Sequence, residues 1–147
     1  MLLGMLIFSV IAAFVVAKLE IQIEGKNGWA EHLPTYKFSN PLSHLIMGNT
    51  PMTGYHVWLN ATFVTFIHFP FFVGLAWTLP LELRFFGIFF FGAVLEDFFW
   101  FIFNPRYGLR KFNAEHAPWH RWIGGLPMLY YIYLFLAIVL TYLSYLL

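Results

Sequence analysis

The sequence of 147 residues contains no cysteine and very little charge. Without thiols there is no disulfide, no thiolate nucleophile and no cysteine-ligated metal or cluster, so any bound metal must rest on His, Asp or Glu. Charged residues make up 10% of the chain, where a soluble domain carries about 25% to coat its surface, and 61% of the residues are hydrophobic. That combination excludes an ordinary water-facing exterior. Nor does either sign of charge dominate. Eight Lys and Arg against seven Asp and Glu leave a net charge of +1, so the dense basic stripe that nucleic acid requires is missing.

What remains is long apolar runs rich in phenylalanine, 19 in all. They predict an all-α polytopic membrane protein, a four-transmembrane-helix bundle forming a single membrane domain over 1–147. The expected spans are 1–17, 56–79, 85–103 and 122–147, joined by long loops at 18–55 and 104–121 and a tight turn at 80–84. The first run has no basic flank and no small-residue cleavage site, so it reads as a retained helix rather than a removed signal peptide. In the first long loop, a short surface helix is expected from Pro41 to Met47, followed by a turn-rich stretch from Gly48 to Gly54.

Four crossings place both termini on one face and both long loops on the other. Lys18, Lys26, Lys37, Arg106, Arg110, Lys111 and Arg121 then share the loop face, while Arg84 alone lies near the opposite one. The positive-inside rule makes the loops cytoplasmic and the termini external. Trp29, Trp58, Trp100, Trp119 and Trp122 are expected as an interfacial belt on the loop face, with Trp77, Tyr142 and Tyr145 marking the other.

The chemistry-bearing residues gather at the loop end. Glu96 and Asp97 sit inside an apolar helix, where an unpaired charge costs at least about 2.5–3.5 kcal/mol, and they are the candidate catalytic residues. His56, Glu96, His116 and His120 are the candidate metal ligands, because imidazole and carboxylate without thiolate suit Fe, Zn or Mn. Asn60, His32, Arg106, Arg110 and Arg121 are expected to orient ligands or hold substrate, the arginines through lipid phosphates. A structural ion pair, and interfacial histidines bound to headgroups, are the competing readings of the same residues. His68, about 18 Å from His56 at helical rise, is expected to bond a backbone carbonyl near Pro70, or Thr65. No second imidazole shares its depth, which argues against haem in a monomer.

His116-x-x-x-His120 is similar to the first histidine box of membrane desaturases and hydroxylases, and the likeness covers that box alone. The residues themselves point to a metal-dependent enzyme acting on a lipid or other apolar substrate at the cytoplasmic interface. Two alternatives stand beside it. One is a non-catalytic small subunit or lipid-binding scaffold of a larger membrane complex or homo-oligomer, and the other is a proton- or cation-coupled transporter.

Overall fold

A computed structural model describes residues 1–25, 27–47 and 50–147. Lys26, one of the seven loop-face cations, and Gly48 at the start of the turn-rich stretch lie outside the described residues. The chain is mostly helical: α1 (Leu2–Glu24), α2 (Pro41–Met47), α3 (Gly54–Phe72), α4 (Leu79–Phe103) and α5 (Met128–Leu146). Two antiparallel hairpins supplement them, β1 (Lys37–Phe38) with β2 (Met52–Thr53), and β3 (Trp122–Ile123) with β4 (Leu126–Pro127). A single turn of 3₁₀ helix covers Leu109–Lys111. Among the described residues, α1, α4 and α5 are long and apolar enough to cross a membrane; α3, with 19 residues, is more polar.

Several helix boundaries depart from the sequence expectation, each for a local reason. α1 continues seven residues beyond Ala17, because Glu20 turns inward and is buried. It stops only at Gly25, whose φ of 68° an L-residue adopts at a cost. The turn expected at 80–84 is instead the first part of α4. Thr78 caps that helix by accepting the Leu81 N–H, and Pro80 occupies the first turn, where its missing donor does no harm. α3 ends at Phe72, soon after Pro70, rather than at Leu79. The helix expected from Trp122 begins only at Met128. Gly124 and Gly125, with φ of 57° and 89°, form the two-residue turn joining β3 to β4. The short helix at Pro41–Met47 is present, started by Asn40, whose Oδ1 accepts the Ser43 N–H at 2.8 Å.

α4 is the central helix, with α1 and α5 packed along it and α3 touching it more lightly. Ser9 bonds the Ile88 carbonyl near one end of the bundle, and Asn104 Nδ2 donates to Gly25 O at the other, so α1 and α4 run parallel. Arg84 reaches Ser144, and Tyr130 reaches Asp97, so α5 runs antiparallel to α4. His68 meets Glu82 across the antiparallel α3 and α4. Both long connections therefore cap one end of the bundle, and both termini lie at the other.

Close approach along α4 depends on small residues, as expected where no water drives helices together. A Cβ on Gly87 would stand 2.4 Å from Thr141 Oγ1 and 3.1 Å from the Ala137 carbonyl. The best-buried apolar cluster lies at the loop end, where Ala17, Ile21, Trp100, Phe101 and Ala117 are enclosed by Phe99, Tyr107, Phe112, Trp119 and Trp122. Trp100, Trp119 and Trp122 are thus packed against this cluster and do not form a belt. Of the expected interfacial residues, Trp58, Trp77, Tyr142 and Tyr145 are exposed. Burying a ring such as Phe101 contributes roughly 1.5–3 kcal/mol, and each ring pair about 0.5–1.5 kcal/mol more. This end of the molecule is therefore rigidly held.

Gly87→Ala is expected to cost about 1–3 kcal/mol, because a backbone carbonyl cannot move aside cheaply. Gly4→Ala, where nothing lies within 4 Å, is expected to stay within about 0.5 kcal/mol. Equilibrium unfolding of the two variants in mixed micelles measures the difference.

Candidate functional site

Beneath the loop cap lies a cavity of about 140 Å³. Its polar lining is Glu20 and Glu24 from α1, His56 and Asn60 from α3, Glu96 and Asp97 from α4, and His120 from the loop before β3. Among the described residues neither Lys nor Arg lines it. Leu59, Phe63, Leu129 and Tyr133 form part of its apolar wall, on the side where α3 and α5 have no extensive contact. At about 30 Å³ per water, the space suits four or five waters or the reacting end of a larger molecule, and does not enclose a whole lipid.

One corner brings together Glu20, Glu24 and His56. One ligand atom from each lies within 4.8 Å of the others, the only such group among the described residues. His56 Nε2 stands 3.8 Å from Glu24 Oε1, with both side chains largely buried. Three contacts fix this corner. Thr53, the fully buried cap of α3, places its hydroxyl 2.6 Å from His56 Nδ1. In the tautomer that carries its proton on Nδ1 and donates it to that oxygen, the Nε2 lone pair faces the acids. The indole of Trp29 stacks on the imidazole at 4.1 Å, and the Ala30 N–H donates to Glu24 Oε1 at 2.6 Å. Trp29 and Ala30 make these contacts from left-handed backbone, at φ of 59° and 51°. That conformation costs an L-residue about 1–2 kcal/mol, and here the strain positions two groups of the site.

The opposite corner holds Asp97, His120 and Tyr130. The Tyr130 hydroxyl donates to Asp97 Oδ2 at 2.5 Å, and His120 Nε2 lies 3.3 Å from Asp97 Oδ1. That separation permits an ion pair, but the ring is not aligned for a hydrogen bond, and neither His120 nitrogen has a hydrogen-bond partner among the described residues. His120 is 5% exposed, ringed by Trp29, Phe101, Trp119 and Trp122. Between the corners the carboxyls of Glu20 and Glu96 meet, and Glu96 Oε1 is enclosed with no N–H or hydroxyl donor reaching it. In the cap, burial holds the Tyr107 phenol above its ordinary range, so it stays neutral beside the Gly28 backbone.

The structure brings together His56, Asn60, Glu96, Asp97 and His120, all expected from the sequence, and separates His116 from them. Residues 115–122 form turns rather than a helix, so the expected i, i+4 pairing of His116 with His120 does not form. His116 Nδ1 instead pairs with Asn113 Oδ1 at 2.9 Å. His32 is exposed beside Glu31, and Asn60 Nδ2 donates to the His56 carbonyl. Arg106, Arg110 and Arg121 are exposed on the cap, with Arg121 donating to Leu45 O. His68 bonds a backbone carbonyl, but that of Val64 one turn back rather than one freed near Pro70 or Thr65, and it also meets Glu82 Oε1 at 2.8 Å, near the bundle end opposite the loops.

Glu20 and Glu24 are the functional residues that the sequence reading assigned to a loop. A signal for them exists: the small residues Ser9, Ala13 and Ala17 recur every four positions along the buried face of α1, and the same face continues to Glu20 and Glu24. No protein-family model, curated protein or solved structure matches the chain.

His56→Ala is expected to abolish divalent-cation binding by the purified protein. His116→Ala, outside the cavity, is expected to bind as the wild type does. Equilibrium dialysis of the two variants against Zn(II) or Mn(II), with elution volume as the check on folding, tests this distinction.

Proposed function

We propose that this protein is a membrane-embedded, metal-dependent enzyme acting on a lipid or another apolar substrate at the cytoplasmic interface. The observation that carries the reading is the Glu20, Glu24 and His56 group, three ligand atoms within 4.8 Å inside an enclosed cavity. Ligand bonds to Fe, Zn or Mn are about 2.0–2.2 Å long, so opposed ligands are separated by at most about 4.4 Å. Three ligands on one ion average no more than about 120° apart, a separation of at most about 3.8 Å, so the group would draw inward around a bound ion. Carboxylate and imidazole donors fit such an ion, and Thr53 supports His56 as ligand histidines are usually supported.

Bound there, a divalent cation would polarise a substrate oxygen or make a water acidic near neutral pH. The residues around it have distinct tasks. Glu96, facing Glu20 with an oxygen that no donor reaches among the described residues, would exchange a proton with water or substrate at that corner. Tyr130 holds Asp97 in place across the cavity. The aromatic cap of Trp29, Trp100 and Trp119 restricts water, which strengthens every charge interaction inside.

The substrate class follows from the other wall. Leu59, Phe63, Leu129 and Tyr133 face the cavity where α3 and α5 leave one another, so an acyl or other apolar chain can lie in the bilayer while its reacting end enters. On this reading α3 is a fourth crossing. Its 19 residues rise about 28 Å, close to the roughly 30 Å of a hydrocarbon core, and the parallel course of α1 and α4 needs a returning segment between them. The exposed Arg106 and Arg110 meet lipid phosphates on the cytoplasmic side, with both termini outside.

Purified protein is expected to carry Fe, Zn or Mn and to convert a component of a total lipid extract, detected by mass spectrometry. Glu24→Gln should lose the metal, and Glu96→Gln should keep it while turnover falls about 10²–10⁴-fold. Folded protein that neither carries nor takes up metal would instead support the scaffold reading. Because the chain lacks native cysteine, single replacements report sidedness directly. A membrane-impermeant maleimide applied to intact cells should label Tyr145→Cys and spare Glu115→Cys; the reverse pattern would invert the proposed orientation.

A further inference from the structure

We infer that the cavity binds a pair of divalent cations, the second held by Asp97 and His120 and joined to the first through Glu20. The inference rests on the metal-binding reading above and extends it from one ion to two. Its first support is charge. Four carboxylates and two imidazoles line the cavity, with no Lys or Arg among the described residues. One divalent ion matches the charge of only two of the four carboxylates once they have given up their protons; two such ions match all four.

Geometry supplies the second support. Ligands at about 2.1 Å from an ion, at angles of about 90–110°, are separated by about 3.0–3.4 Å. Asp97 Oδ1 and His120 Nε2 stand 3.3 Å apart. Tyr130 occupies the other oxygen of Asp97, leaving Oδ1 facing the imidazole, as expected where a hydrogen-bonding neighbour orients a ligating carboxylate.

The third support is the hydrogen bonding of His120 itself. His120 is buried to more than nine-tenths, lines the cavity, and has no hydrogen-bond partner for either ring nitrogen among the described residues. Leaving a buried polar group unpaired costs about 1–3 kcal/mol, and an ion on Nε2 would satisfy it. Glu20 belongs to the first group, faces Glu96 and interacts electrostatically with Asp97, so it lies between the two corners and is the residue that would join the ions. Four carboxylates and two histidines projecting into a helical bundle also form a donor set suited to paired Fe or Mn.

The test uses full-length protein in detergent, stripped with chelator and reconstituted with Mn(II). Two Mn per chain and a spin-coupled low-temperature EPR spectrum are expected. His120→Ala and Asp97→Asn should each fall to one Mn with an isolated-ion spectrum. Wild type holding one Mn with an isolated-ion spectrum would overturn the pair and leave the single-metal enzyme standing, whereas wild type holding none would overturn both. His120→Ala retaining two coupled Mn ions would overturn the assignment of His120. If that variant does not fold, the wild-type spectrum decides the matter.

Discussion

Carboxylates held away from water repel one another when ionised, and the end of this bundle gathers four of them with no lysine or arginine along the cavity wall among the described residues. Everything else at that end can be understood as managing the repulsion. Two imidazoles stand against the acids, Tyr130 and the Ala30 N–H each donate to one of them, and Glu20 meets Glu96 directly. Those contacts leave several lone pairs unused. A protein gains nothing in stability from such an arrangement, because apolar residues would pack the same space at lower cost. On the proposed reading, cations from outside the chain would account for it.

The cost of holding this arrangement is met by the surrounding structure. α4 carries Glu96 and Asp97 and serves as the packing partner for the other long helices, with Gly87 and Gly92 letting α5 and α1 approach. The aromatic cluster around Phe101 and Trp100 locks the second connection over the bundle end and fixes His120 within it. The first connection contributes the strained pair Trp29 and Ala30 and the buried Thr53, each holding a ligand from outside the ring of helices. Asn104 ties the end of α4 to the end of α1. Precision here comes from the loops as much as from the helices.

Much of this was legible in the sequence, and the failures share one cause. The apolar runs, the absence of cysteine, the buried acids of α4 and the crowding of histidine toward one end led to the helical bundle and to five cavity residues. The boundaries shifted where polarity was taken as a sign of exposure. Glu20 and Glu24 read as loop because they are charged, yet they lie on the buried face of α1. The His116 and His120 spacing read as a helical ligand pair, but spacing carries that meaning only inside a helix, and the chain there forms turns. Tryptophans read as an interfacial belt because composition does not distinguish a ring facing headgroups from one packed under a cap. Thr53 and Tyr130 carry no signal at all until the tertiary contacts are known.

The central claim, that the acids and imidazoles under the cap form a cation site, is tested most directly by thermal unfolding of chelator-stripped protein titrated with Mn(II) or Zn(II). A ligand that binds only the folded state stabilises it by about 2.7 kcal/mol at a hundred times its dissociation constant. The account predicts a midpoint that climbs with cation concentration and does not climb for a Glu24→Gln, His56→Ala double variant. A midpoint unmoved by either cation in the wild type would contradict it.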